Sequence, residues 1–118
     1  MLAATLLMFA LAIFIAMRDD RAFMQSGPEV IVRERRGEVI FEWLYPIMPP
    51  MTAHFERAFG ERGGRVRRIV IDLNSPGGLV DEGAALISFI ERMKSTHEVV
   101  TRVGPNRVCA SMCVPVFL

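Results

Sequence analysis

Three residues in the middle and near the carboxyl end of the chain carry atoms from which acyl-transfer chemistry could be built. Ser111 lies in Cys109-Ala-Ser-Met-Cys113 and offers a hydroxyl beside the backbone N–H of Met112. Upstream, Asn74-Ser-Pro-Gly-Gly78 ends in a glycine whose N–H no side chain can screen. A hydroxyl nucleophile flanked by two backbone donors is the minimum set for stabilising a tetrahedral oxyanion. The candidates are therefore Ser111 as nucleophile and the amides of Gly78 and Met112 as the oxyanion hole. No base stands beside them in the sequence. The plainer readings are an ordinary turn at Pro76-Gly-Gly78 and a small residue in a close-packed segment at Ser111.

Cys109 and Cys113 bracket the serine. In a helical segment, positions four apart share a face with Cα atoms about 6 Å apart, near the upper end of disulfide geometry. A bridge formed in an oxidising compartment would lock the turn that bears Ser111. Two small thiols packed against a sheet are the other reading. Cys109 in the nucleophile's place would need a base to activate it. His97 falls in a helix-to-strand connection, at the opposite end of the sheet from Ser111, and geometry makes it a poor base. His54 reads as an exposed helix residue. No His, Cys, Asp or Glu grouping has metal-ligand spacing, and two cysteines alone cannot close a zinc site. The glycine turn lacks both phosphate-loop patterns, so neither metal nor cofactor is expected. Arg62, Arg65, Arg67 and Arg68 read as solvated loop charges, and a net charge of +1 gives no ground for a nucleic-acid partner.

These groups need elements to hold them. Arg68-Ile-Val-Ile-Asp-Leu73 is a short, nearly continuous apolar run, which suits a strand buried on both faces of a parallel sheet. Leu79 to Lys94 reads as a helix. Val80, Ala84, Ile87 and Glu91 recur on successive turns, with Gly83 and Ile90 beside them, and the charges at its two ends suit the helix dipole. Glu98-Val-Val-Thr-Arg-Val103 is a second strand, so the whole is a βαβ unit with a right-handed connection. Both the glycine turn and the serine segment then follow the carboxyl ends of adjacent strands, where functional groups collect in open parallel sheets. Ahead of this unit, Glu29–Arg33 and Glu38–Trp43 are two strand-like runs, readable as a hairpin with Gly37 in the turn. A helix from Met51 to Glu61 follows Pro46-Ile-Met-Pro-Pro50, with Met51, Phe55, Ala58 and Phe59 as its apolar stripe.

The order Ile71-Asp-Leu-Asn-Ser-Pro-Gly-Gly78, amphipathic helix, strand ending near Gly104, then Ala110-Ser-Met112 resembles the core of the caseinolytic (Clp) protease subunit. The wider crotonase-like superfamily, including the signal-peptide-peptidase-A and stomatin-operon membrane proteases, shares that core. The likeness covers residues 66–118. It implies a crotonase/Clp-like α/β fold of repeated βαβ units with a parallel sheet, and a serine peptidase. In that family the matching serine is the nucleophile, and the amides matching Gly78 and Met112 form the oxyanion hole. The base, a His with an Asp or a Lys in the membrane branches, follows the serine. The resemblance therefore implies that the base lies beyond Leu118 and that these residues are the amino-terminal portion of a longer domain. Two family glycines, four residues before and two after the serine, are here Arg107 and Cys113. The cysteine bracket is more similar to exported Clp-like proteins than to the cytosolic subunit.

Residues 2–17 contain no charge, and their only hydroxyl is Thr5. That run is near the short limit for a bilayer-spanning helix, about 17–25 residues. A transmembrane anchor or uncleaved signal, a cleaved signal peptide, and a buried core helix are the three readings. The resulting organisation is a membrane or signal segment at 1–17, a linker at 18–28 and a Clp/crotonase-like domain at 29–118. It would be tethered to a membrane with its soluble part periplasmic, or else secreted. A peptide or protein substrate and self-assembly into a homo-oligomer are expected. A non-catalytic, membrane-tethered scaffold is the competing function.

Overall fold

A two-residue turn, Arg36-Gly37, starts the architecture by folding strand β1 (Ile31–Arg35) back onto β2 (Glu38–Trp43). Gly37 adopts φ 74°, the left-handed conformation that tight hairpin turns demand. The computed structural model describes residues 6–8, 10 and 28–118. From β2 the chain passes through helix α1 (Met51–Arg62) and a short 3-10 turn (Gly63–Arg65) to β3 (Arg68–Leu73). It continues through α2 (Val80–Lys94) to β4 (Glu98–Arg102) and ends in a short helix α3 (Cys113–Phe117).

The sheet order is β1-β2-β3-β4, with β1 antiparallel to β2 and the other neighbours parallel. The expected fold, crotonase/Clp-like repeated βαβ units with a parallel sheet, is thereby overturned. The described chain is a small α/β unit with a four-stranded mixed sheet. The hairpin itself holds the reason, because two residues can join only antiparallel neighbours, whereas a parallel crossover needs a dozen or more. Among the described residues no helix is long and apolar enough to cross a membrane. Apart from residues 6–8 and 10, which are helical, the expected membrane segment lies outside the described residues, as does the linker up to residue 27.

Two successive crossovers of one hand, moving the same way across the sheet, put both helices on one face. The core forms there from Val39, Phe41 and Trp43 of β2 and Ile69, Ile71 and Leu73 of β3. Met51, Phe55 and Ala58 of α1 close over them, and Phe55 meets the rings of Phe41 and Trp43 edge-on and tilted, each at 6.0 Å. The expected α1 stripe is the buried one, with Phe59 half-buried beside it. The expected stripe on α2 is displaced. Gly83, Leu86, Phe89, Ile90 and Met93 are buried, while Val80, Ala84 and Glu91 are exposed. Val80 looks apolar in sequence but is the first residue of α2 and is exposed.

β3 is buried on both faces, yet its second face carries no helix among the described residues. There the register builds three transverse rows: Ile31, Glu42, Asp72 and Arg102; then Arg33, Ile40, Val70 and Val100; then Arg35, Glu38, Arg68 and Glu98. Arg102–Asp72 at 2.7 Å and Arg68–Glu38 at 3.7 Å pair along the two outer rows, and Arg33 of the middle row reaches diagonally to Glu42 at 2.8 Å. The buried Ile40 and Val70 lie between them. Long arginine stems suit such a face, because they shield apolar surface while keeping their charge in water.

Candidate functional site

Past Leu73 the chain of β3 stays extended and takes on new partners. The Asn74 N–H donates to the Trp43 carbonyl at 2.9 Å, the last bond back towards β2. Ser75 then pairs with the segment before Ser111: its N–H donates to the Val108 carbonyl at 2.7 Å, and its carbonyl accepts from Ala110 at 3.1 Å. The Asn74 side chain completes this join, since its Oδ1 accepts the Val108 N–H at 2.9 Å. On the other side, the Ile47 N–H donates to the Gly77 carbonyl at 2.8 Å, and the Leu79 N–H donates to the Ile47 carbonyl at 2.8 Å. The turn at residues 74–78 is thus a junction between the β2–α1 connection and the serine segment.

Its glycines are required by that crowding. Gly77 has φ 105°, and a Cβ there would lie 2.6 Å from Ser111 Cβ and 2.8 Å from the Ala110 carbonyl oxygen. A side chain at Gly78 would overlap the Ile47 carbonyl. Gly83, one turn into α2, leaves the space that the Met112 side chain fills. The two segments that sequence order alone suggested would meet do meet, through Gly77 and Ser111.

Ser111 is exposed and adopts φ 53°. A left-handed backbone costs a residue with a Cβ of order 1 kcal/mol, and it persists only where the surroundings over-determine it. Here they do. The Ser75–Cys109 bridge holds one side, and α3 begins at Cys113 on the other. A disulfide joins Cys109 to Cys113 across the turn, with Cα atoms 5.2 Å apart. The segment is a strand-like stretch, a turn and a short helix, and the two cysteines meet across the turn rather than along the face of one continuous helix.

This strand–turn–helix placement lifts a hydroxyl outward and leaves the next N–H beside it, as a nucleophile elbow does. The Gly77 N–H is engaged by Ser75 Oγ at 3.2 Å. Among the described residues, the N–H groups of Gly78 and Met112 donate to no acceptor. Ser111 Oγ likewise has no hydrogen-bond partner among them, so no base is in place. His97 sits at the amino end of β4, where its Nε2 lies 2.8 Å from the Gly63 carbonyl oxygen and its Nδ1 lies 2.7 Å from Thr96 Oγ1. Ser111 is beyond the other end of that strand. His54 is half-buried on α1. Among the described residues no group of three or more His, Cys, Asp or Glu could hold a metal ion.

Some residues that build the site carry no signal in composition or spacing. Arg107, one of the two departures from the family pattern, reaches Glu42 at 3.6 Å and ties the serine segment to β2. Glu42 is nearly buried and also takes Arg33. Beside it, Arg102 donates to Asp72 at 2.7 Å, which holds the guanidinium above its ordinary pKa and so charged. Ile47 joins the junction through its backbone, while its side chain is buried in the core. Asn74 could have been found, because Asn at a strand end commonly satisfies backbone groups with its side chain.

No family model, curated protein or solved structure matches this chain. The likeness to the Clp protease subunit therefore stands on the two short motifs alone.

Proposed function

We propose that the Ser111 turn is the nucleophilic centre of a serine-type hydrolase that cleaves peptide bonds. The observation that carries this reading is the backbone of Ser111. It is an exposed hydroxyl in the left-handed region, on a turn pinned by Gly77 and by the Cys109–Cys113 bond, and it is followed in the chain by the uncommitted Met112 amide. Stored strain at an exposed nucleophile is a recurring property of catalytic sites. In the reaction, Ser111 Oγ adds to the peptide carbonyl carbon and its proton passes to a base. The carbonyl electron pair moves onto oxygen, where the Gly78 and Met112 N–H groups receive it. Collapse breaks the C–N bond and returns the proton to the leaving amine, and water then hydrolyses the seryl ester. The base, an imidazole, amine or carboxylate, has to come from outside the described residues. The choice of a peptide substrate rests on the likeness of Asn74–Gly78 and Ala110–Met112 to the Clp protease motifs. The disulfide supports an oxidising, extracytoplasmic compartment.

One observation favours a second reading, a non-catalytic scaffold. Asn74, Ser75, Gly77 and Gly78 each have a structural role that needs no substrate, and among the described residues no base accompanies the serine. A fluorophosphonate probe on the full-length protein separates the two. Labelling that vanishes in Ser111→Ala supports the hydrolase. A folded wild type that takes up no probe overturns it and leaves the scaffold.

A further inference from the structure

Strand β4 ends the sheet, and among the described residues it pairs only with β3. An edge strand presents a row of unpaired N–H and C=O groups, a template for another strand. The Glu98 N–H donates to the Arg67 carbonyl, so Glu98, Val100 and Arg102 direct their backbone groups towards β3. Alternation along the strand then leaves the N–H and C=O of Val99 and Thr101 pointing outwards.

That edge, Glu98-Val-Val-Thr-Arg102, is complementary to itself when reversed. We infer that β4 is a homodimer interface, at which two copies join antiparallel about a two-fold axis through Val100 and make one continuous sheet of eight strands. In this register Val99 of one copy opposes Thr101 of the other, twice. These are the residues with outward backbone groups, so four N–H···O=C bonds form. Val100 faces its own copy across the axis. Glu98 faces Arg102 at both ends, with their side chains on the same sheet face, and opposite charges directly across strands are stabilising. A shift of two residues keeps the backbone parity but sets Glu98 against Val100 or Gly104, and both charge pairs are lost. Backbone parity and charge therefore select one register.

The side chains leave room for it. Glu98 is held only loosely, 4.0 Å from Arg68, and the Arg102 side chain is 43% exposed although one of its nitrogens binds Asp72. On the helical face, Val99 and Thr101 border a groove lined by Ile87, Ile90, Val116 and Phe117, and the Thr101 hydroxyl donates to the Phe117 carbonyl, so α3 flanks the edge on this face and leaves its backbone groups free. Leu118 is 87% exposed at the rim. A second copy would shield this apolar strip, and an isologous contact closes on itself without building a fibre. The inference is independent of any activity at Ser111.

Sedimentation of the full chain in mild detergent should report a dimer of the 13.3 kDa protomer. Val99→Pro removes an outward N–H without touching the pairing with β3, and should give a monomer with an unchanged circular dichroism spectrum. Glu98→Arg, which sets like charges across both ends, should raise the dimer dissociation constant about tenfold or more. Val100→Cys places two thiols across a non-hydrogen-bonded pair with Cα atoms about 4.5 Å apart. It should cross-link on oxidation, whereas Glu98→Cys should not. A wild-type chain that stays monomeric overturns the inference, and so does a dimer that survives Val99→Pro or cross-links through Glu98→Cys but not Val100→Cys.

Discussion

Gly77 and Ser111 occupy the same small space, and each is held in a left-handed backbone by what surrounds it. The two positions respond differently to substitution. Gly77→Ala adds a Cβ in the conformation that L residues avoid and drives it against Ser111 Cβ. It should destabilise the protein by more than about 2 kcal/mol in denaturant titration, because the added atom combines overpacking with backbone strain. Gly64→Ala is the control: an added Cβ meets nothing within 4 Å, so its effect should stay within about 0.5 kcal/mol. Equal effects of the two would show that the junction at Gly77 is looser than described. If Ser111 is the nucleophile, Gly77→Ala also displaces it, and probe labelling should fall even under conditions where the variant remains folded.

At the level of elements, α2 shows how a helix's apolar face is chosen by where the sheet lies under it. Leu86 is completely buried, whereas Val80 in the first turn is 68% exposed. Leu86→Ala should therefore cost about 2–5 kcal/mol, the range for truncating a buried leucine, and Val80→Ala should be near neutral. Reversed values in thermal or chemical denaturation would restore the stripe read from sequence spacing. α1 is anchored at both ends of its neighbour. The Thr52 N–H donates to Glu82 Oε1 at 2.7 Å, and Arg92 reaches Glu56 at 3.4 Å. The first of these satisfies a donor in the opening turn of α1 that the helix cannot satisfy itself, since Pro50 at its start supplies no side-chain cap.

The whole described unit is a two-layer sandwich, with helices on one face of the sheet and an ion-paired face on the other. The arginines of that second face are about half exposed, at 52% for Arg33 and 43% for Arg102. Solvent-exposed partners weaken such pairs, and salt screens what remains. Raising sodium chloride from about 0.05 M to about 1 M should lower stability by no more than about 1 kcal/mol. Phe55→Ala on the helical face, by contrast, should cost about 3–5 kcal/mol. A salt effect as large as the Phe55 effect would mean that the ionic rows, not the apolar layer, hold the sheet together.

Periodicity and turn chemistry in the chain determined most of the elements. The apolar run at Arg68–Leu73, the turn at Gly37, the α1 stripe and the charged ends of α2 are local signals, and each element lies within a few residues of its expected place. The meeting of Gly77 with Ser111 followed from topology, because parallel neighbours bring their carboxyl ends together. Other features were beyond a local reading. Continuous apolarity in β3 is the same whether its second face meets helices or ion-paired arginines, so the two-layer architecture was decided only by the register of Glu42, Asp72 and Arg102 across three strands. Which of Val80, Ile87 and Leu86 is buried was decided by tertiary packing: Leu86 lies in the core, Ile87 packs beside it and Val80 is exposed. The roles of Ile47 and Arg107 come from contacts separated by tens of residues. The left-handed backbone at Ser111 belongs to the same class, since nothing in Ala110-Ser-Met112 favours it, and the junction around it imposes it.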